Sequence, residues 1–197
     1  MSFNKKRIAL FISGRGSNME AILRNVQSGG CLSDCCEPVL VFSDRQEAQG
    51  LTIAAHYGIE TACLTRSAGQ KRAEYDSEIV RLLTPLRLDY IVLAGYMRIL
   101  SPVLVSAFPQ RIINIHPADT ALHKGLHAYQ WAFENQLPAT KITIHYVDSG
   151  VDTGQIIGQK EVDLGNCTTL DEVEKAGLEV EHVFYSEILE KLFKTNI

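Results

Sequence analysis

Short apolar runs alternate with amphipathic stretches along the first part of the chain. The apolar runs are of strand length and rich in β-branched and aromatic residues, and they cover residues 7–12, 38–42, 60–64, 89–94 and 111–115. Between them, apolar positions recur at helical spacing in residues 19–26, 47–57, 72–86 and 102–108. Alternating strands and helices of this kind predict right-handed βαβ units around a largely parallel sheet.

The later part of the chain has a different pattern. Residues 140–147 and 155–162 have the composition of two strands joined by a short Asp/Ser/Gly turn, which predicts an antiparallel pair. A last amphipathic helix is expected over residues 170–193. The predicted fold is therefore α/β, with a three-layer, mostly parallel Rossmann-like sheet, a C-terminal antiparallel extension and a final helix. In such sheets ligands bind beyond the carboxyl ends of the parallel strands, so the site is expected among residues 13–18, 43–46, 95–100 and 116–125.

Composition narrows the function classes. The chain has 197 residues, 46% of them hydrophobic and 21% charged, with no low-complexity segment or linker, so one domain over residues 1–197 is expected. A formal net charge of −4 and the lack of a Lys/Arg cluster favour small-molecule substrates over nucleic acid or a membrane surface. The apolar stretch 8–12 is too short for a signal peptide or a membrane span, and the five cysteines favour reduced thiols. A cytoplasmic protein is therefore expected. No metal site is expected either, because the cysteines near residues 31–36 are not followed by a second pair with ligand spacing.

Two polar residues end an otherwise apolar strand in the run Ile112-Ile113-Asn114-Ile115-His116-Pro117. Strand alternation sends Asn114 and His116 to the same face, and a carboxylate follows downstream in Val151-Asp152-Thr153-Gly154. An amide, an imidazole and a carboxylate that meet in one cleft would suit acyl transfer. The alternative is that both strand residues are buried polar groups that are hydrogen-bonded locally. Asp148 is a competing carboxylate, but its position two residues before Gly150 predicts an Asx turn.

A glycine-containing loop, Ser13-Gly14-Arg15-Gly16-Ser17-Asn18, follows the first predicted strand and precedes the first helix. Its backbone N–H groups and the helix dipole could bind a phosphate. It fits a dinucleotide fingerprint poorly, because Met19 occupies the third glycine position. The alternative is a tight turn in which Ser17 or Asn18 caps the helix and no ligand binds. Similarly, the apolar segment 94–100 could wall a flat ligand or merely cover the core.

Taken together, four motifs resemble a known family. Ser13-Gly14-x-Gly16-Ser17-Asn18, Leu93 to Ser101 (LAGYMRILS), Asn114-Ile115-His116-Pro117 and Val151-Asp152-Thr153-Gly154 occur in the order and spacing of the phosphoribosylglycinamide formyltransferases, which are folate-dependent enzymes of purine biosynthesis. The resemblance extends over roughly residues 7 to 190. It implies transfer of a formyl group from the co-substrate 10-formyltetrahydrofolate to glycinamide ribonucleotide, with no metal or redox cofactor, by a monomer or homodimer.

The resemblance also assigns residues to roles. Those that match the family's catalytic positions are Asn114, His116 and Asp152. Those expected to bind the ribonucleotide are Gly16, Ser17 and Asn18 at its phosphate, with Gly95, Met97 and Glu181 along the rest. Those expected to bind the folate are Arg72, Met97, Arg98, Ile99, Leu100, Val105, Asn114 and Asp152. Without the resemblance, Glu181 would be placed on a solvated helical face.

The chain departs from the family after His116. Residues 118–124 (ADTALHK) replace a segment that in the family usually carries two leucines and two prolines, so a less rigid loop is expected, with His123 exposed. Three alternatives remain: a related formyltetrahydrofolate hydrolase, a formyltransferase that acts on another amine, and a binding protein without activity, which only the altered loop favours. The intact Asn114, His116 and Asp152 set argues against the last.

Overall fold

The computed structural model describes residues 5–27 and 29–195 of the chain. Strands and helices alternate within these ranges, in the order β1 (Lys6–Ile12), α1 (Ser17–Val26), β2 (Cys36–Ser43), α2 (Gln49–His56), β3 (Thr61–Cys63), α3 (Arg72–Leu83), β4 (Tyr90–Leu93), α4 (Pro102–Ala107), β5 (Ile112–His116), α5 (Ala128–Glu134), β6 (Ala139–Tyr146), β7 (Ile156–Asp163) and α6 (Leu170–Thr195). Of the helices in these ranges, none combines the length and the apolar character that a membrane crossing requires.

The strands form one sheet of seven, in the order β3-β2-β1-β4-β5-β6-β7. The first five strands in the chain pair in parallel, whereas β6 is antiparallel to β5 and β7 is antiparallel to β6. This arrangement confirms the predicted mostly parallel sheet with an antiparallel extension. The chain leaves β1 toward one edge and β4 toward the other, so a crevice forms between their carboxyl ends, where ligands bind in sheets of this kind.

Alternate residues of the strands face two separate apolar clusters. In β1, Ile8, Leu10 and Ile12 pack on one face with α1, α2, α5 and α6, whereas Ala9 and Phe11 pack on the other face with α3 and α4. The period of two in the strand thus produces the three expected layers. The central strands β1 and β4 are buried on both faces, so ligands can reach this part of the sheet only at the strand ends.

Most predicted element ends differ from the observed ones by one or two residues, and three differences concern the extent or the existence of an element. The strand expected over 60–64 spans only three residues, Thr61–Cys63, at the sheet edge. The helix expected through residue 86 ends at Leu83 and continues as a 3₁₀ turn that contains Pro85, because proline has no N–H to donate and its ring clashes with the preceding turn. Helix α5 was not predicted, since its sequence AYQWAFE spans only seven residues, which are too few to show a helical period clearly.

The final helix is pinned beneath the strand ends by a buried tyrosine. Tyr185 of α6 is fully buried, and its hydroxyl lies 3.0 Å from the carbonyl oxygen of Leu93 in β4 and 3.2 Å from that of Ile113 in β5. Glu181 precedes Tyr185 by four residues and therefore lies on the same face of the helix. The helix thereby brings a carboxyl group to the edge of the crevice.

Candidate active site

A cleft of about 350 Å³ opens at the carboxyl ends of β4 and β5. Its walls are formed by these strand ends, by residues 95–100 after β4, by the residues before α5 and by the connection between β6 and β7. We call residues 95–100 the cleft wall and residues 13–18 the glycine loop. The cleft lies at the predicted edge of the sheet.

The amide, the imidazole and the carboxylate singled out in the sequence meet in this cleft. Asn114 and His116 project into it from β5, and Asp152 reaches it from the connection between β6 and β7. Asn114 Nδ2 lies 3.4 Å from Asp152 Oδ1, and His116 Nδ1 lies 3.5 Å from Asp152 Oδ2. The carboxylate is therefore shared between the two side chains of the strand.

Asp152 is held in a conformation that is uncommon for a residue with a side chain. Its φ angle is 49°, in the left-handed region where aspartate is among the few residues tolerated, and Gly125 donates its backbone N–H to Oδ2 at 2.8 Å. Burial tends to raise the pKa of Asp152, but hydrogen bonds from His145 and Gly125 and the proximity of His116 outweigh it and lower this pKa to about 2. The carboxyl group is therefore ionised at every physiological pH.

The His116 imidazole is almost fully buried, with 4% of the residue exposed. Its Nε2 lies 3.1 Å from the backbone carbonyl oxygen of His123, opposite the nitrogen that faces Asp152. Burial lowers the pKa of His116 below 6.5, although the charge of Asp152 and the carbonyl of His123 act in the opposite direction. The imidazole is therefore placed between two acceptors while the buried environment favours its neutral form.

A second histidine, which the sequence analysis did not assign to the site, also contacts Asp152. His145 of β6 lies directly opposite Asn114 in the antiparallel pairing, and its Nε2 is 3.4 Å from Asp152 Oδ1 and 3.3 Å from Asn114 Nδ2. Its Nδ1 donates to the carbonyl oxygen of Tyr146 at 2.8 Å, which fixes the ring orientation. Only the pairing register of β5 and β6 shows that His145 lies in the site, because the spacing of residues in the sequence does not reveal it.

The glycine loop leads directly into α1. Gly16 has a φ angle of 78° and is the residue before the helix. Ser17 and Asn18, which the alternative of a turn without ligand makes the cap, lie in the first turn instead. A β-carbon at Gly16 would approach Gly50 Cα to 3.0 Å, which adds a steric reason for glycine to the conformational one. The backbone N–H groups of the first turn point out of the helix end, as an anion site requires.

The polar residues around this helix end are buried rather than solvated. Glu181 of α6 is 4% exposed and accepts hydrogen bonds from the Asn18 side-chain amide and from the Tyr129 hydroxyl. Burial raises the pKa of Glu181, and these two bonds counteract it. The solvated helical face that residue patterning favours for Glu181 is therefore absent.

The residues assigned to folate do not all line the cleft. Of this set, the lining residues are Met97, Arg98, Ile99, Leu100, Asn114 and Asp152. Arg72 lies in the exposed first turn of α3, and Val105 packs from α4 against the core, so neither is among the lining residues. Gly95 and Met97, which were assigned to the ribonucleotide, line the same cleft, next to the glycine loop.

The loop after His116, residues 117–125, is held by polar contacts with β6. Asp119 forms an ion pair with Lys141 of β6 at 2.7 Å, and the Thr143 hydroxyl donates to the carbonyl oxygen of Ala118 at 2.6 Å. Both contacts fix the first half of the loop to β6. The loop therefore has a defined path despite its divergent sequence.

His123 is half-buried, so the expectation that it would be exposed is wrong. Its ring lies 4.9 Å from the Trp131 ring and nearly parallel to the His116 ring, at an interplanar angle of 6° and a centroid distance of 6.2 Å. Trp131 belongs to α5, and without that helix the sequence offered nothing to cover His123. Asp148 forms the predicted Asx turn, since its Oδ1 accepts the N–H of Gly150 at 2.9 Å.

In the part of the chain that the structure describes, no group of three or more His, Cys, Asp or Glu side chains is arranged to hold a metal ion. The polar groups of the cleft are instead the donors and acceptors described above. Such a set can orient a carbonyl compound and stabilise charge on its oxygen.

Comparisons with known proteins agree with this geometry. The sequence matches the formyl transferase family over residues 6–189. It is 32% identical over 191 residues to the phosphoribosylglycinamide formyltransferase of Bacillus subtilis, an alignment that covers 97% of this chain and 96% of that protein. It is also 40% identical over 162 residues to the trifunctional purine biosynthetic protein adenosine-3 of Drosophila pseudoobscura, where the match covers 82% of this chain and 12% of that longer protein.

Solved structures extend the likeness to the fold. The crystal structure of phosphoribosylglycinamide formyltransferase from Bacillus halodurans superposes with a TM-score of 0.91 at 37% identity and covers 98% of this chain and 97% of that one. The structure of the enzyme of the same name from Streptococcus pneumoniae superposes with a TM-score of 0.87 at 36% identity, covering 95% and 99% of the two chains.

Proposed function

The chain belongs to the formyl transferase family, and from this premise we propose how its residues transfer the formyl group of 10-formyltetrahydrofolate to the amine of glycinamide ribonucleotide. The observation that carries the proposal is the meeting of Asn114, His116 and Asp152 in one cleft, with contacts of 3.4 and 3.5 Å to the shared carboxylate. The alternative that the two strand residues are hydrogen-bonded only within their own strand does not account for a carboxylate contributed by a separate connection.

The reaction requires a donor for a developing oxyanion. The amine nitrogen attacks the formyl carbon, and the tetrahedral intermediate carries negative charge on oxygen and positive charge on the new ammonium. Asn114 supplies one N–H to the oxygen and His116 supplies the second. The His116 N–H that is paired with the His123 carbonyl is the one that the oxyanion would take over, since the other nitrogen faces Asp152.

Asp152 acts as a fixed negative charge. With a pKa of about 2 it is a weak base, so it orients His116 and Asn114 and stabilises the positive charge of the new ammonium. The ammonium proton passes to the departing folate nitrogen as the carbon–nitrogen bond to the folate breaks. The products are tetrahydrofolate and the formylated ribonucleotide, and no covalent intermediate with the enzyme is needed.

The glycine loop and the start of α1 would hold the phosphate of the ribonucleotide. Gly16, Ser17 and Asn18 present backbone N–H groups at the positive end of a ten-residue helix. Gly95, Met97 and Glu181 would contact the rest of this substrate, and the remaining cleft wall would hold the folate. The amine would thereby be directed from the glycine loop toward Asn114 and His116.

The protein is proposed to act in the cytoplasm on small molecules, as one domain and as a monomer or homodimer. Its negative net charge disfavours nucleic acid as a partner, and all five cysteines are free, as is usual in a reducing compartment. Light scattering of the purified protein would determine the oligomeric state.

One assay tests the proposed reaction. Deformylation of 10-formyltetrahydrofolate is followed with purified protein in the presence and in the absence of glycinamide ribonucleotide. Turnover that depends on the ribonucleotide supports the proposal. Turnover without it would indicate a hydrolase, turnover only with another amine would change the acceptor, and no turnover under any condition would indicate a binding protein.

A further inference from the structure

The cleft wall has no regular secondary structure, yet it shapes the cleft. Its side chains Tyr96 and Leu100 are buried in the core, but Met97 and Ile99 are 58% and 51% exposed, so burial does not hold the part of the wall around Met97 to Ile99. We propose that Asp44, which follows β2, is a positioning residue that holds the cleft wall in the shape that binds the formyl donor and links it to the glycine loop. The inference rests on the proposed function, because it concerns the donor site of that reaction.

Asp44 reaches the cleft wall by two routes. Its carboxyl group is 2% exposed, and Oδ2 accepts a hydrogen bond from Arg98 Nε at 2.5 Å. Oδ1 accepts from the Ser13 hydroxyl at 2.5 Å, and the Ser13 oxygen accepts the backbone N–H of Met97 at 2.9 Å. One buried carboxyl group therefore fixes a side chain and a backbone amide of adjacent wall residues.

The cost of burying Asp44 argues for a specific role. A buried carboxylate must be paired and hydrogen-bonded to offset its loss of solvation, and an ion pair at this depth stabilises the fold no better than apolar packing would. Its partner is also restrained, because the Arg98 guanidinium carbon lies 5.4 Å from the centre of the Tyr75 ring. Because Arg98 Nε is hydrogen-bonded to Asp44, Arg98 fixes the shape of the cleft wall and is not only a cation for the ligand.

The same contacts link the two substrate sites. Ser13 is the first residue of the glycine loop, and its backbone N–H donates to the Gly95 carbonyl oxygen at 3.0 Å. Gly95 has a φ angle of 87°, so the chain turns at the point where the loops meet. Asp44 therefore lies beneath the junction of the glycine loop and the cleft wall and touches no reacting atom in the proposed chemistry. Its loss should weaken donor binding more than the chemical step.

The test uses Asp44→Asn, which keeps the shape of the side chain and removes its charge. We expect the dissociation constant for tetrahydrofolate, measured by calorimetry, and the KM for 10-formyltetrahydrofolate to rise ~10-fold, with kcat changed by less than ~3-fold. Hydrogen exchange at the amides of the cleft wall should become faster. The matched control is Asp89→Asn: its carboxyl group also accepts a hydrogen bond, from the Arg7 backbone N–H at 2.8 Å, but it lies at the amino ends of the strands. This control should leave both donor constants unchanged.

Two further variants examine the route. Arg98→Gln should raise the same donor constants, and the double variant should be no weaker than Asp44→Asn alone if Asp44 acts through Arg98. Should Asp44→Asn fail to fold, Ser13→Ala and Arg98→Gln test the same two routes separately. Unchanged tetrahydrofolate binding in Asp44→Asn, or equal losses for both substrates, would overturn the role of Asp44. Wild-type protein that fails to bind tetrahydrofolate would instead overturn the proposed function, which distinguishes the two failures.

Discussion

The backbone carbonyl of His123 accepts a hydrogen bond from Nε2 of His116 at 3.1 Å. Since a carbonyl oxygen can only accept, this contact places a proton on Nε2 and leaves Nδ1 facing Asp152. The orientation of the imidazole therefore depends on the 117–125 loop, which is the part of the chain that departs from the family pattern. The loop and Asp152 therefore both contact the same side chain, that of His116.

The first prediction concerns the oxyanion donors. Asn114→Ala and His116→Ala should each lower turnover by at least ~10², because each removes one donor to the developing oxyanion. His56→Ala is the matched control, since His56 is an exposed histidine at the end of α2. Steady-state kinetics with circular dichroism as a fold check make the measurement. Near-normal rates in both site variants would refute the mechanism.

The second prediction concerns the anchor of the 117–125 loop. Lys141→Met removes the ion pair with Asp119, and we expect kcat to fall ~10-fold because the His123 carbonyl no longer holds His116 in one orientation. The effect on stability should be small, because the Lys141 side chain is 41% exposed and solvent screens the ion pair.

Lys160→Met is the control for this anchor. Lys160 forms an exposed ion pair with Glu187 at 3.5 Å that does not involve the loop, so its loss should leave kcat unchanged. Urea unfolding of both variants separates stability from rate. Equal kcat values for the two variants would show that the loop does not need this anchor.

The sequence predicts the parts of the site that depend on local pattern. Alternation in β5 is enough to place Asn114 and His116 on one face, and the position of the glycine loop between a strand and a helix is enough to suggest an anion site. The three layers follow from the same periodicities.

The rest depends on contacts between distant segments. His145 meets Asp152 only because β5 and β6 pair in a particular register, and Asp44 meets Arg98 only because β2 and β4 end on either side of β1 at the same end of the sheet. His123 is covered by Trp131 of α5, a seven-residue helix that is too short to be recognised from its pattern. Such contacts require the tertiary structure, because neither spacing nor residue type along the chain encodes them.

The third prediction concerns stability in acid. The pKa of Asp152 is about 2 in the folded protein, below its ordinary 3.8, so the folded state binds this proton less tightly than the unfolded chain. The resulting stabilisation, up to about 2 kcal/mol, is complete above pH ~4 and is lost as the pH falls toward 2. Urea unfolding between pH 2.5 and 6 should show a smaller pH dependence for Asp152→Asn than for the wild type.

A second carboxyl group provides the reference for that experiment. Lys141 lowers the pKa of Asp119 by hydrogen bonding, so Asp119 loses stabilisation in the same direction as the pH falls. The pH dependence that remains in Asp152→Asn should therefore not be zero. Identical pH dependence in the variant and the wild type would contradict the low pKa of Asp152.

The fourth prediction concerns Tyr129, whose hydroxyl donates to buried Glu181. Tyr129→Phe leaves one oxygen of a buried carboxyl group without this donor, so we expect the KM for the ribonucleotide to rise ~10-fold while the KM for the folate is unchanged. Because the lost bond opposes the upward effect of burial on the Glu181 pKa, that pKa should rise further. Ribonucleotide binding by the variant should then weaken as the pH is lowered, more than in the wild type.

Gly177 offers an independent test of the same contact. A β-carbon at this position of α6 would overlap the Tyr129 ring, so Gly177→Ala should displace the hydroxyl from Glu181 without removing a polar group. It should reproduce the ribonucleotide-specific rise in KM. Tyr57→Phe is the control, because Tyr57 hydrogen-bonds Arg24 of α1 on its exposed side. A rise in both KM values would show that Tyr129 supports the fold in general. An unchanged KM for the ribonucleotide in both Tyr129→Phe and Gly177→Ala would show that Tyr129 does not support the ribonucleotide site.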